Sequence, residues 1–215
     1  MSELEELESC FENAGGDKAA LASAAFAHLA ASGHRILSSR TVEGLEVKAR
    51  ETWNGISAKV TVKKGVKLEH PVHMCFGVMH RTGTQKINMN VTLEEGASAH
   101  FIAHCLFPKA EKVRHIMDAK VAVGEGAEMR YSETHYHGPH GGVTVVPKLA
   151  VQVGRNGRYF TDFTLTTGRV GKLDIDYTVQ AEENSVAELT ARVFGHATDD
   201  IHIRDKVLLQ GKNSR

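Results

Sequence analysis

The stretch that decides the fold is "AKVAVGEGA", Ala119–Ala127. Ala119, Val121 and Val123 alternate with Lys120 and Ala122, so they share one face of a strand, and "GEGA" closes that strand with a tight turn. The same phrase recurs along the chain. "AKVTVKKG" sets Ala58, Val60 and Val62 on one face, "INMNVTLEEG" does so with Ile87, Met89, Val91 and Leu93, and "LAVQVGRNG" with Leu149, Val151 and Val153. "LDIDYTVQAEE" and "IHIRDKVLLQG" continue the series, and from about Val47 onward no helix-period segment interrupts it. The turns centre on Gly65, Gly96, Gly126, Gly157, Asn184 and Gly211, at separations of 31, 30, 31, 27 and 27 residues. A glycine or asparagine at one point of every unit marks a position that needs a positive φ or a tight bend. A repeat of this length made of strand and turn alone predicts a stacked solenoid, a β-helix in which each coil buries its apolar face on its neighbours. A sandwich of seven or more short strands is the alternative, since its turns also recur.

The N-terminal part has a different period. Ser2 and Glu5 in "SELE" form a capping-box pattern, and Asp17 is placed to cap a second helix, "KAALASAAFAHLAASG", running to Gly33. Leu21, Ala25, Phe26 and Leu29 fall on one face of it, so it is expected to dock. The expected organisation is a helical segment over 1–44 followed by a β-helix over 45–215.

Composition narrows the function classes. With 26 basic and 26 acidic residues, no net field draws the chain to nucleic acid or to an acidic membrane. Three cysteines, Cys10, Cys75 and Cys105, are too few for a disulfide framework and point to a reducing compartment. There is no bilayer-length apolar run and no signal-peptide pattern, so the expectation is a soluble, cytoplasmic protein.

Histidine and cysteine carry the candidate chemistry. Eight residues past the turn residue lie His73, His104 and Thr134; nine past it lie Met74, Cys105, His135 and Thr166. Equal offsets in a β-helix stack about 4.8 Å apart, which makes Cys105 and His135 neighbours in one column. A bulge forced by Pro71 would bring Cys75 into the same column. Thiolate and imidazole are soft-to-borderline ligands suited to iron, zinc or sulfur chemistry. Cys105 also continues the inward face of Ala97, Ala99, Phe101 and Ala103, and buried free cysteine is ordinary core filling. His73 and His104 then face outward. His135 and His137 share a face in "SETHYHGPHGG", Ser132–Gly142, before Pro139 and two glycines turn the chain out into a loop that carries His140. Other groups read as ordinary structure. Asp174 and Asp176 form a polar outer face, Arg114 and His115 begin an apolar strand, and His196, Asp199 and Asp200 make a polar loop. No C-x-x-C pair, phosphate-binding loop or G-x-S-x-G elbow is present.

Four phrases, "VTVKKGVKLEHPVHMCFGV", "VRHIMDAKVAVGEGA", "HYHGPHGGVTVVPKLAV" and "GRVGKLDIDYTV", closely resemble the core of the SufB/SufD family of iron–sulfur cluster assembly scaffolds, in its short single-subunit form. The likeness runs from Leu45 to Arg215. It implies a right-handed β-helix, a scaffold rather than an enzyme, pairing as a homodimer or in SufB/SufD fashion, and an ABC-class ATPase of the SufC type as partner. It also implies sulfur from a cysteine desulfurase and a transient iron–sulfur cluster, with no tightly bound cofactor. The family's best-placed cluster residues and its ATPase-binding helices lie in later coils, whereas this sequence stops at "LLQGKNSR". Within the chain, Cys105 and Cys75 are the expected sulfur or iron ligands, with His104, His135 and His137 in support. The competing functions are an architectural interaction module with inert cysteines and a metal-dependent enzyme built on the 132–142 loop.

Overall fold

The computed structural model describes residues 2–215. In chain order the elements are α1 (Glu3–Asn13), α2 (Lys18–Ala22), β1 (His28–Ser32), β2 (Arg35–Arg40), β3 (Leu45–Thr52), β4 (Gly55–Val62), β5 (Val72–Gly77) and β6 (Thr82–Leu93). There follow β7 (Ser98–Phe107), β8 (Lys112–Val123), β9 (Glu128–His137), β10 (Val143–Val153), β11 (Arg158–Thr167), β12 (Gly171–Ala181), β13 (Val186–Val193) and β14 (Asp200–Leu209). Apart from β2 and β3, which close the N-terminal edges, odd and even strands separate into two seven-stranded sheets, ordered β13-β11-β9-β7-β5-β1-β2 and β14-β12-β10-β8-β6-β4-β3. From β4 and β5 onward every neighbouring pair is parallel and one coil apart. That pairing is a parallel β-solenoid and excludes the antiparallel sandwich.

Register explains why this sequence stacks. Val60 pairs with Val91, Val91 with Val121, Val121 with Val151, Val151 with Val179, and Val179 with Val207. A β-branched residue at the same inward point of successive coils meets its own shape above and below, and a slip of one residue would turn every such column to solvent.

The turns stack too. In each, the residue after the turn donates its N–H to a carbonyl three back, as Val66 does to Lys63 at 3.0 Å and Ala127 to Gly124 at 3.1 Å. The third turn position takes a positive φ, as in a type II turn, and it is occupied by Gly65, Gly96, Gly126, Asn156, Asn184 and Asn213. Two expected turn centres therefore move. Asn156 rather than Gly157, and Asn213 rather than Gly211, hold the left-handed conformation, which asparagine adopts more readily than most other non-glycine residues. The first five of these residues donate their N–H to the next coil, Gly96 N to Glu125 O at 2.9 Å for example, while Asn213 Nδ2 donates back to Asn184 Oδ1 at 3.0 Å.

The N-terminal expectation holds in its caps and fails in its length. Ser2 and Glu5 close the capping box on α1, and Asp17 Oδ1 accepts from Ala19 N at 2.9 Å on α2. The second helix ends at Ala22, not Gly33, and the segment 1–44 is helical only that far. Residues His28–Ser32 are instead a strand whose five residues are all buried, hydrogen-bonded between β5 and β2. Alanine-rich sequence favours helix locally, but an open sheet edge offered hydrogen bonds and burial on both faces. Gly33, with φ +56°, turns the β1–β2 hairpin rather than ending a helix. Among the described residues, no helix is long and apolar enough to cross a membrane.

Helix α1 lies on the outside of the sheet that holds β5 and β7. Its Leu7, Cys10 and Phe11 join Leu21, Ala30, Cys75, Met79 and Leu106 in an apolar cluster separate from the solenoid core.

Candidate functional site

Strand β9 alternates in and out, so Glu133, His135 and His137 all point into the solenoid. Beside it in β7, Cys105 pairs with His135 in register, as the equal offsets require. From the opposite sheet His115 of β8 points inward, on the same face as Met117 and Ala119. These five side chains meet in the core, and each residue is at most 2% exposed.

The contacts form one network. The Cys105 thiol donates to Glu133 Oε1 at 3.5 Å and lies 3.6 Å from His115 Nε2. His135 Nε2 donates to the same Glu133 Oε1 at 2.8 Å, which leaves His135 Nδ1 to accept from His137 Nε2 at 3.2 Å. Among the described residues, Glu133 Oε2, His115 Nδ1 and His137 Nδ1 have no side-chain or backbone hydrogen-bond partner. Phe107 and Phe163 wall the group, with ring centroids 5.0 Å from His115 and 4.8 Å from His135.

Burial sets the charge states. It pushes the Cys105 thiol well above its ordinary range, and the adjacent Glu133 carboxylate pushes the same way. It drives His115 down to about 3, with the neighbouring His135 ring adding to the effect, and takes His137 well below the usual imidazole value. Burial also raises Glu133, but the His135 hydrogen bond and charge, His115 and the Cys105 contact together outweigh it and hold the carboxyl below its ordinary value. Cys105 is therefore a protonated thiol beside a carboxylate. It is not a preformed nucleophile, because the nearest charge disfavours the thiolate. A cation placed between these groups reverses that, since it displaces the thiol proton and satisfies the carboxylate at once. Cys105, His115 and His135 place one donor atom each within 4.8 Å of one another.

Not every expected ligand is here. Cys75 and His104 are register partners on the outward face of β5 and β7. Strand β5 runs unbroken from Val72 opposite Phe101 to Gly77 opposite Leu106, so no bulge at Pro71 occurs and Phe76, not Cys75, stands beside Cys105. Cys75 is fully buried beneath α1, and burial raises its thiol to about 12. His73 and His104 do face outward, yet both are covered rather than solvated: the Phe11 ring meets His104 edge-on at 4.6 Å and His73 at 6.0 Å. The 132–142 loop does not gather its histidines, since His135 and His137 are inside and His140 is exposed on the turn.

His115 and Glu133 are the members that sequence reasoning passed over. Parity held the signal: Glu133 shares the inward face with His135, and His115 shares it with Met117, Ala119 and Val121. Asp174 and Asp176 lie on the outer face, paired with Arg204 at 3.2 and 3.6 Å. Asp199 ties its loop together by accepting from Arg169, Gly171 N and His196 N.

No protein-family model matches the chain. It is 36% identical over 181 residues to an iron–sulfur cluster assembly SufBD family protein of Methanocaldococcus jannaschii, a match that covers 84% of this chain and 57% of that protein. It is 31% identical over 184 residues to a protein of the same description from Pyrococcus horikoshii, covering 86% of this chain and 56% of the relative. The chain thus spans a little over half the length of these relatives. By this match over most of its own length, and with the solenoid that its repeats require, the chain belongs to the SufBD family.

Proposed function

We propose that the chain serves iron–sulfur cluster assembly as a scaffold part rather than as a catalyst, and that Cys105, with His135 beside it, takes part in holding iron or sulfur there. One observation carries the reading beyond kinship: a thiol, imidazoles and a carboxylate converge inside a solenoid whose inward face is otherwise mostly apolar, with Gln85 and Thr161 among the exceptions. Such a set is costly to bury unless it meets a ligand that neutralises it. The partners proposed with it are an ABC-class ATPase of the SufC type, a cysteine desulfurase as sulfur source, and a second SufBD-type subunit, identical or not. The cluster is cargo, bound transiently. Cys75 and His104 lie across the sheet from this group, so they are left with a structural part beneath α1.

The test is anaerobic reconstitution with iron and sulfide, reading visible charge-transfer absorbance and iron per chain for wild type, Cys105→Ser and Cys75→Ser. Iron–sulfur absorbance in wild type and Cys75→Ser, lost in Cys105→Ser, is the expected result. Absorbance that survives Cys105→Ser and disappears with Cys75→Ser would move the chemistry to the other face. No iron–sulfur species in any of the three would end the proposal for the residues of this chain.

A further inference from the structure

We infer that Cys105, His115, Glu133 and His135 form a closed site for a single divalent transition-metal ion inside the solenoid. This stands on the geometry and chemistry of the donors themselves and holds whether or not a cluster is ever assembled on the chain.

The distances between donors are the main argument. A tetrahedral ion with bonds of about 2.3 Å to sulfur and about 2.0 Å to nitrogen and oxygen requires sulfur–nitrogen and sulfur–oxygen edges of about 3.5 to 3.6 Å. Cys105 Sγ lies 3.6 Å from His115 Nε2 and 3.5 Å from Glu133 Oε1. The nitrogen–oxygen edge should be about 3.3 Å. His135 Nε2 and Glu133 Oε1 are at 2.8 Å, held by the proton that an ion would replace, so this edge has to open by about half an ångström. Of the six edges of the four-donor set, two are thus at tetrahedral length already, and those joining His135 to Cys105 and to His115 lie within 4.8 Å.

Charge gives the second argument. A thiolate and a carboxylate together carry the charge that one divalent ion cancels, so the filled site is neutral in a core where net charge is disfavoured. The donors name the class of ion. One thiolate, two imidazoles and one carboxylate suit zinc, iron(II) or cobalt(II), and do not suit magnesium or calcium. His137 supplies the outer support: with His135 Nε2 on the ion, its Nδ1–H donates to His137 Nε2 across the same 3.2 Å contact. Enclosure sets the role. All four residues are buried, with Phe107 and Phe163 against the imidazoles, so the fourfold set leaves no coordination position facing solvent. Closed four-coordinate sites hold metal for structure. This one joins β7 and β9 to β8 on the facing sheet.

The experiment is to produce the chain in cells grown with added cobalt, and in parallel with added zinc, and to purify it without sulfide or refolding. Metal per chain, visible ligand-field spectra and X-ray absorption at the metal edge are then recorded. The expected result is one ion per chain, four-coordinate, with one sulfur at about 2.3 Å and the remaining ligands nitrogen or oxygen. Cys75→Ser should leave this unchanged, whereas Cys105→Ser should lose the sulfur shell and the sulfur-to-cobalt band. Wild type without stoichiometric metal, or with a six-coordinate ion and no sulfur ligand, overturns the inference. The wild-type absorption data decide the matter by themselves, so a variant that fails to fold does not obscure it. Bound cobalt together with failed cluster reconstitution would remove the assembly proposal and leave this site standing.

Discussion

The two faces of the sheet built from β5, β7 and β9 carry the same residue types and differ in chemistry. On the inside, Cys105 meets Glu133, His135 and His115 in a connected polar network. On the outside, one residue away in register, Cys75 and His104 lie beneath α1 against Leu7, Phe11, Met79 and Leu106. Both cysteines are buried to the same degree. What separates them is which groups are buried with them. An apolar cap leaves a thiol inert, while a carboxylate and two imidazoles make it one donor of a ligand set.

The largest test of this contrast is to remove the cap. Phe11→Ala should cost about 3 to 5 kcal/mol, since a fully buried ring is lost from a cluster that has little else to close it. Alkylation mapped by mass spectrometry should then find Cys75 labelled much faster while Cys105 stays protected. Equal protection of both thiols in the folded variant would mean that α1 is not what shields Cys75.

Acid provides a second way to separate the faces. Burial first, and the nearby His73 second, push the His104 pKa down to about 4. Below the ordinary imidazole range the unfolded chain takes up a proton that folded His104 refuses until about pH 4, so stability falls as pH drops through that window, by up to about 3 kcal/mol. Denaturant melts of wild type and His104→Gln between pH 7 and 4 should show a shallower fall in the variant. Parallel slopes would place the acid sensitivity elsewhere.

A smaller effect comes from making one substitution on each face. Cys75→Ser buries a hydroxyl among apolar side chains and should cost about 1 to 3 kcal/mol. Cys105→Ser gives its hydroxyl Glu133 and His115 as partners, and should cost less, about 1 kcal/mol or under in metal-free protein. If thermal unfolding shows equal losses, the inner network does not satisfy a polar group at that point.

The solenoid was legible because its evidence is local and repeated. A period of two marks inward and outward residues, and a recurring glycine or asparagine marks the turns. Together they also set the stacking offset that places Cys105 against His135. The misplacements had local causes as well. Asn156 took the left-handed role beside Gly157, and "HLAAS" was drawn into a strand against its helical preference by the edge it completes. Cys75 would share the column of Cys105 only if a bulge broke β5, and the strand runs straight, so it lies on the outer face.

What the sequence determined by itself, then, is the coil length, the register and the face each residue takes, because parity and stacking follow from short-range geometry. What only the tertiary structure decided is which residues meet from different sheets. His115 lies on β8, ten residues beyond Cys105 in the chain, and comes to 3.6 Å from its sulfur only because the two sheets face each other across one core. Helix α1 makes the outer histidines buried for the same kind of reason. No periodicity within a strand encodes what packs on it from outside, since that depends on where a distant segment finds its apolar partner.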